Sequence, residues 1–116
     1  MTHNEITPDR VLAALSRHVG EGCGIHAKAL ATAVTGQNPP TPGQERQVRH
    51  AITALRLAGH HVCAHPRSGY FIAATEQELL RTCEFLHERA MASLRQIARM
   101  RHIALPDLRG QLKLPT

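Results

Sequence analysis

Thr41-Pro42-Gly43-Gln44 begins the stretch that most narrows what this chain can become. Thr41 stands three residues before Gln44. At that spacing a threonine hydroxyl and a glutamine side chain satisfy each other's backbone N–H groups at a helix start. Pro42 falls in the first turn, where its missing N–H is not needed. Val48, Ala51, Ile52, Leu55 and Ala58 then recur at i, i+3, i+4 and i+7 spacing, and Gly59 supplies a stop. This pattern predicts a helix over 42–58 with one apolar side.

The flanking segments give weaker signals of the same kind. Thr7-Pro8 followed by Val11, Leu12, Leu15 and Val19 predicts a first helix over 8–19, ended by Gly20, Gly22 and Gly24. Gly24-Ile25-His26 leaves room for a short extended piece. Ala27–Thr35 reads as a second helix, stopped by Gly36, with a proline-bearing loop before Thr41. Beyond Gly59, the apolar runs His61–Ala64 and Tyr70–Ala73 flank His65-Pro66-Arg67-Ser68-Gly69, which predicts a hairpin. Thr75 and Glu78 have capping-box spacing and open a long helix over about 76–103, with Pro106 beyond it.

With 116 residues, 42% hydrophobic and 3% aromatic, the chain can fill one aliphatic core. The fold class expected is mainly α with a small β-hairpin, followed by a long C-terminal helix. The net charge of +5 favours a polyanionic partner. Residues 1–75 are net cationic, 76–93 net acidic and 94–116 strongly cationic. Cys23, Cys63 and Cys83 form no disulfide framework or CxxC pair, which suits a reducing compartment and predicts a cytoplasmic protein. Met1–Thr7 does not read as a secretory signal, and no apolar run nears the roughly 20 residues of a membrane helix.

The order helix, helix, loop, well-capped helix, hairpin, long helix resembles the winged helix-turn-helix family. The segment that carries the likeness is Ile52-Thr53-Ala54-Leu55-Arg56-Leu57-Ala58-Gly59 running into Gly69-Tyr70-Phe71-Ile72. It is similar to the helix-to-wing junction of small bacterial and phage regulators. The resemblance covers about residues 8–74 and implies a winged helix-turn-helix domain over 8–74 that binds double-stranded DNA in a sequence-specific way. It further implies a transcription regulator with helix 42–58 in the major groove and the 65–69 wing on the backbone or minor groove. The 36–42 loop is longer than in the simplest members, which leaves the docking angle of the third helix open.

On that reading the face of the third helix opposite Val48, Ile52 and Leu55 is the binding face. Arg46, His50 and Thr53 lie farthest from the apolar stripe, flanked by Gln47 and Arg49. Arginine holds guanine bidentately and glutamine holds adenine, while His50 and Thr53 suit phosphates or base edges. Arg67 would sit at the wing tip, where a narrow groove attracts arginine. Lys28 would place an ammonium by a phosphate at a helix start. A merely solvated helix face would also be polar; the hairpin that follows favours DNA.

The C-terminal helix, with its tail boundary at 75–104, is longer than one small domain covers. Its apolar stripe through Leu79, Leu86, Met91, Leu94 and Ile97 predicts a homodimer through that helix. Packing of the same helix back over the first helix is the alternative. The ends, 1–7 and 105–116, read as flexible. A protein-interaction module, or a phage or plasmid replication accessory protein, is the rival function.

No catalytic residue, metal site or cofactor is expected. His61, Cys63 and His65 alternate on one strand side, but no second cluster completes a zinc tetrahedron, and Cys63 reads as a core residue. Cys23 has no attached base, and no phosphate loop, G-x-S-x-G or H-E-x-x-H motif occurs.

Overall fold

Helix α1 spans Pro8–Leu15, and the Thr7 hydroxyl accepts from the Arg10 N–H at 3.2 Å, as a helix-starting threonine should. The helix stops short of the expected residue 19. Ser16 is its C-cap, and the chain then turns at Gly20, whose φ is 89°. The cause is non-local: Gly20 N–H donates to Ile72 O and Ile72 N–H donates to His18 O, both at 2.8 Å. These sheet-type bonds take Val19 out of the helix and leave it 48% exposed.

After a short 3-10 turn over Glu21–Cys23, Ile25 forms a one-residue rung against the hairpin, exchanging bonds of 2.8 and 2.7 Å with Tyr70. This is the extended piece expected at 24–26. Helix α2 runs Ala27–Thr35 and ends at Gly36, which is left-handed with φ 77°. Helix α3, Pro42–Leu57, carries the full capping box: Gln44 N–H donates to the Thr41 hydroxyl at 3.1 Å and Thr41 N–H donates to Gln44 Oε1 at 2.8 Å. Gln44 also donates to Gln37 Oε1 at 3.1 Å, pinning the preceding loop to the helix start.

The apolar face of α3 holds the fold together. Val48, Ala51, Ile52 and Leu55 are buried against Val11, Leu15, Leu30, Ala31, Val34 and Val62. Each fully buried Val, Ile or Leu contributes roughly 1.5–3 kcal/mol, whereas a cap contributes about 1 kcal/mol, so this face outweighs the terminal signals that mark it.

Strands β1 (Val62–His65) and β2 (Gly69–Ile72) pair antiparallel, with Val62 opposite Ile72 and His65 opposite Gly69. Both strands start or end one residue nearer the turn than expected, because Gly69 joins the ladder at φ 83° and leaves only 66–68 to turn. One hairpin face, with Val62, Tyr70 and Ile72, meets the core. Cys63 and Phe71, directly opposite each other, are buried on the other face.

Helix α4 spans Glu76–Arg101. At its start Glu78 N–H donates to the Thr75 hydroxyl at 3.2 Å, and the Thr75 N–H makes a weaker contact back to the Glu78 carboxylate. That carboxylate accepts from Ala74 N–H at 2.8 Å and from Glu21 N–H at 3.0 Å, fastening α4 to the 3-10 turn. An Arg81–Glu21 ion pair at 3.6 Å spans the same place. The bond from Glu21 N–H, seconded by that from Ala74, holds the Glu78 carboxyl below its ordinary range. A carboxylate with a lowered folded pKa stabilises fully above its unfolded pKa, and the contribution is lost as pH falls through the folded value. The stability gap between wild type and Glu78→Gln is therefore expected to narrow as pH drops from neutral through the carboxylate range. Urea melts at a series of pH values measure this, and a pH-independent gap would contradict it.

The structure, a computed structural model, describes residues 5–102. It is mainly helical, with a small two-stranded hairpin and a long C-terminal helix. The chain divides into two units, Met1–Thr82 and Cys83–Thr116. Of the ends expected to be flexible, 1–4 and 105–116 lie outside the described residues, as do 103–104 of the expected last segment. Residues 5–7 are held in place: Glu5 O accepts from Arg10 at 2.7 Å, Ile6 packs on the core and Thr7 caps α1.

In the second unit, residues 83–90 are exposed, whereas Leu94 and Ala98 are buried within the single chain, with Met91 and Ile97 packed against them. Leu86 stays 38% exposed, and Leu79, half-buried, belongs to the first unit. The residues expected to form one dimer seam thus fall in different surroundings: Met91, Leu94 and Ile97 share one cluster, while Leu79 and Leu86 lie outside it.

Candidate nucleic-acid interface

Burying Val48, Ile52 and Leu55 turns the opposite side of α3 to solvent. Arg46, Gln47, Arg49, His50 and Thr53 are all exposed there. Arg46 and Arg49 lie one helical turn apart and have no hydrogen bond or ion pair among the described residues. The Thr53 hydroxyl donates to Arg49 O at 3.2 Å, so it faces a partner as an acceptor only. Exposed Leu57, at 85%, ends this face on an apolar note.

Other arginines are structural. Arg10 donates to Val34 O at 3.1 Å and so closes the C-terminal end of α2. Arg56 Nε donates to Val62 O at 2.8 Å, which holds the end of α3 to β1. No sequence pattern separates these two from the solvent-facing cations, because their acceptors are backbone carbonyls brought close only by folding.

Arg67 is exposed at the hairpin turn, and its backbone is clamped on both sides. Its N–H donates to His65 Nδ1 at 3.1 Å, and its carbonyl accepts from His26 Nε2 at 3.0 Å. His26 is the N-cap residue of α2 but makes no cap bond; its ring reaches across to the turn instead. The wing is thereby fastened to the start of α2, two residues from exposed Lys28. His26 is the positioning residue that the sequence reading missed, and its only local signal is an unusual residue at a cap.

No family model, curated protein or solved structure matches the chain.

Cys63 is buried, its thiol 3.7 Å from Glu78 O, and His65 Nδ1 is occupied by Arg67 N–H. Among the described residues, no group of three or more His, Cys, Asp or Glu side chains is arranged to hold a metal ion. His18 Nδ1 bonds the Cys23 carbonyl at 2.7 Å and not its thiol. No helix among the described residues is long and apolar enough to cross a membrane.

Proposed function

We propose that this chain is a winged helix-turn-helix protein that binds double-stranded DNA as a sequence-specific regulator. In this reading α3 enters the major groove and the wing around Arg67 follows the backbone or minor groove. The observation that carries it is the pair of guanidiniums, Arg46 and Arg49, without a bond or ion pair among the described residues, on the solvent face of a helix followed by a fastened hairpin tipped by Arg67. The Ile25 rung ties the hairpin to residues 24–26 and so helps hold Arg67 in place.

Roles follow from chemistry. Arg46 and Arg49 can grip guanine edges or phosphates, and Gln47 can read adenine. His50 and Thr53 complete the polar face, while Lys28 and Arg67 hold phosphates on either side of the His26 clamp.

Salt dependence tests the reading. A protein that meets phosphates through Lys28, Arg46, Arg49 and Arg67 should lose affinity for duplex DNA with a log–log slope of about −3 to −4 per protomer. Mobility-shift titrations on genomic and random duplexes over a range of salt measure it. Absence of salt-sensitive binding to either would refute the proposal.

A further inference from the structure

A line of charge along the second half of α4 goes beyond the DNA reading. Glu84, Glu88, Ala92, Arg95 and Arg99 follow one another at spacings of four, four, three and four. At about 100° per residue they fall within roughly 80° of one another, so they form one ridge. All five are exposed. The ridge runs acid, acid, small, base, base.

Such a ridge is poorly arranged for a lone helix. Glu84 and Glu88 stand at i, i+4, as do Arg95 and Arg99, and like charges at that spacing destabilise a helix. None of the four has an ion-pair partner among the described residues. The ridge is, however, complementary to itself when reversed. Turned end to end about the level of Ala92, Glu84 and Glu88 of one copy meet Arg99 and Arg95 of the other, and the two-fold axis repeats both pairs. A parallel arrangement would set glutamate on glutamate and arginine on arginine. Ala92 at the midpoint lets two backbones approach, and half-exposed Phe85 borders the ridge with apolar surface.

We infer that α4 pairs antiparallel with α4 of a second copy through this ridge. The occupant is a second copy because one surface here carries both halves of the match. The buried line through Leu94 and Ala98 is not used by this contact.

Charge reversal in the full-length chain tests it. Sedimentation from low micromolar to hundreds of micromolar protein should show a dimer that weakens as salt rises. Glu84→Arg with Glu88→Arg should raise the dimer dissociation constant at least about tenfold, and so should Arg95→Glu with Arg99→Glu. All four reversals combined should restore wild-type association, since the antiparallel match is then rebuilt with the signs exchanged. Circular dichroism should show equal helix content in every variant, the sites being exposed. In a Cys23→Ser/Cys83→Ser background, a short thiol cross-linker should join Ala92→Cys copies and leave Glu84→Cys copies unlinked.

The inference is overturned if wild type is monomeric throughout. It is equally overturned if the double reversals associate as wild type does, if the fourfold reversal stays as weak as the double ones, or if Glu84→Cys copies link. None of these results bears on duplex binding by α3, so the two readings fail separately.

Discussion

Replacing Arg46 and Arg49 together by alanine is expected to weaken duplex binding about a hundredfold and to cut the salt slope by about two. Each guanidinium held by a base edge or phosphate is worth roughly 1–3 kcal/mol, and two at about 1.4 kcal/mol each already give the hundredfold loss. Folding should be untouched, to within about 0.5 kcal/mol, because both side chains are exposed and make no hydrogen bond or ion pair among the described residues. Arg56→Ala provides the contrast. That side chain bonds Val62 O at 2.8 Å, so its loss should lower stability by about 1 kcal/mol and leave the salt slope alone. Fluorescence anisotropy on a labelled duplex, beside urea melts of all three proteins, separates the two effects. Equal DNA affinity for wild type and the double variant would remove α3 from the interface.

The contrast between Arg46 and Arg56 also marks what could be read from the chain in advance. Features governed by near neighbours were legible. The Thr41–Gln44 box, the end of α2 at Gly36, the apolar face of α3 and the hairpin all depend on residues within a few positions of one another. The misjudged features depend on distant partners. Val19 continues the helical spacing, yet sheet bonds between 18–20 and Ile72 pull it away. Glu78 meets Thr75 as its spacing suggests, but the spacing does not show that its carboxylate also takes Glu21 N–H across the fold. In the candidate interface, Arg46, Gln47, Arg49, His50 and Thr53 followed from helix geometry alone, since a buried stripe defines the opposite face. The clamp on Arg67 did not, because His26 and Arg67 lie 41 residues apart. On α4, spacing identified apolar residues but not which of them would be covered, since Leu86 and Leu94 satisfy the same period with different burial.

Gly69→Ala should cost about 3 kcal/mol or more and lower the melting temperature by over about 10 °C, at roughly 4–8 °C per kcal/mol for a domain of this size. Two causes add. Gly69 has φ 83°, a left-handed conformation that costs an L-residue roughly 1–2 kcal/mol. Its missing Cβ would also lie 2.5 Å from the carbonyl carbon and oxygen of Ile25 and 2.6 Å from His26 N. Those atoms are backbone. They cannot retreat without breaking the Ile25–Tyr70 rung, whose bonds are 2.8 and 2.7 Å, or disturbing the residue whose ring fastens the wing. Gly24 faces the same crossing from the other strand, where a Cβ would strike the Ser68 carbonyl, so Gly24→Ala should behave alike. Gly22→Ala, two residues away, meets nothing within 4 Å and should stay within about 0.5 kcal/mol of wild type. Amide exchange should report the site of damage, with Ile25 and Tyr70 losing protection in the Gly69 and Gly24 variants before the buried face of α3 does. If Gly69→Ala proves as stable as Gly22→Ala, the hairpin does not sit against residues 24–26, and the placement of Arg67 beside the start of α2 goes with it.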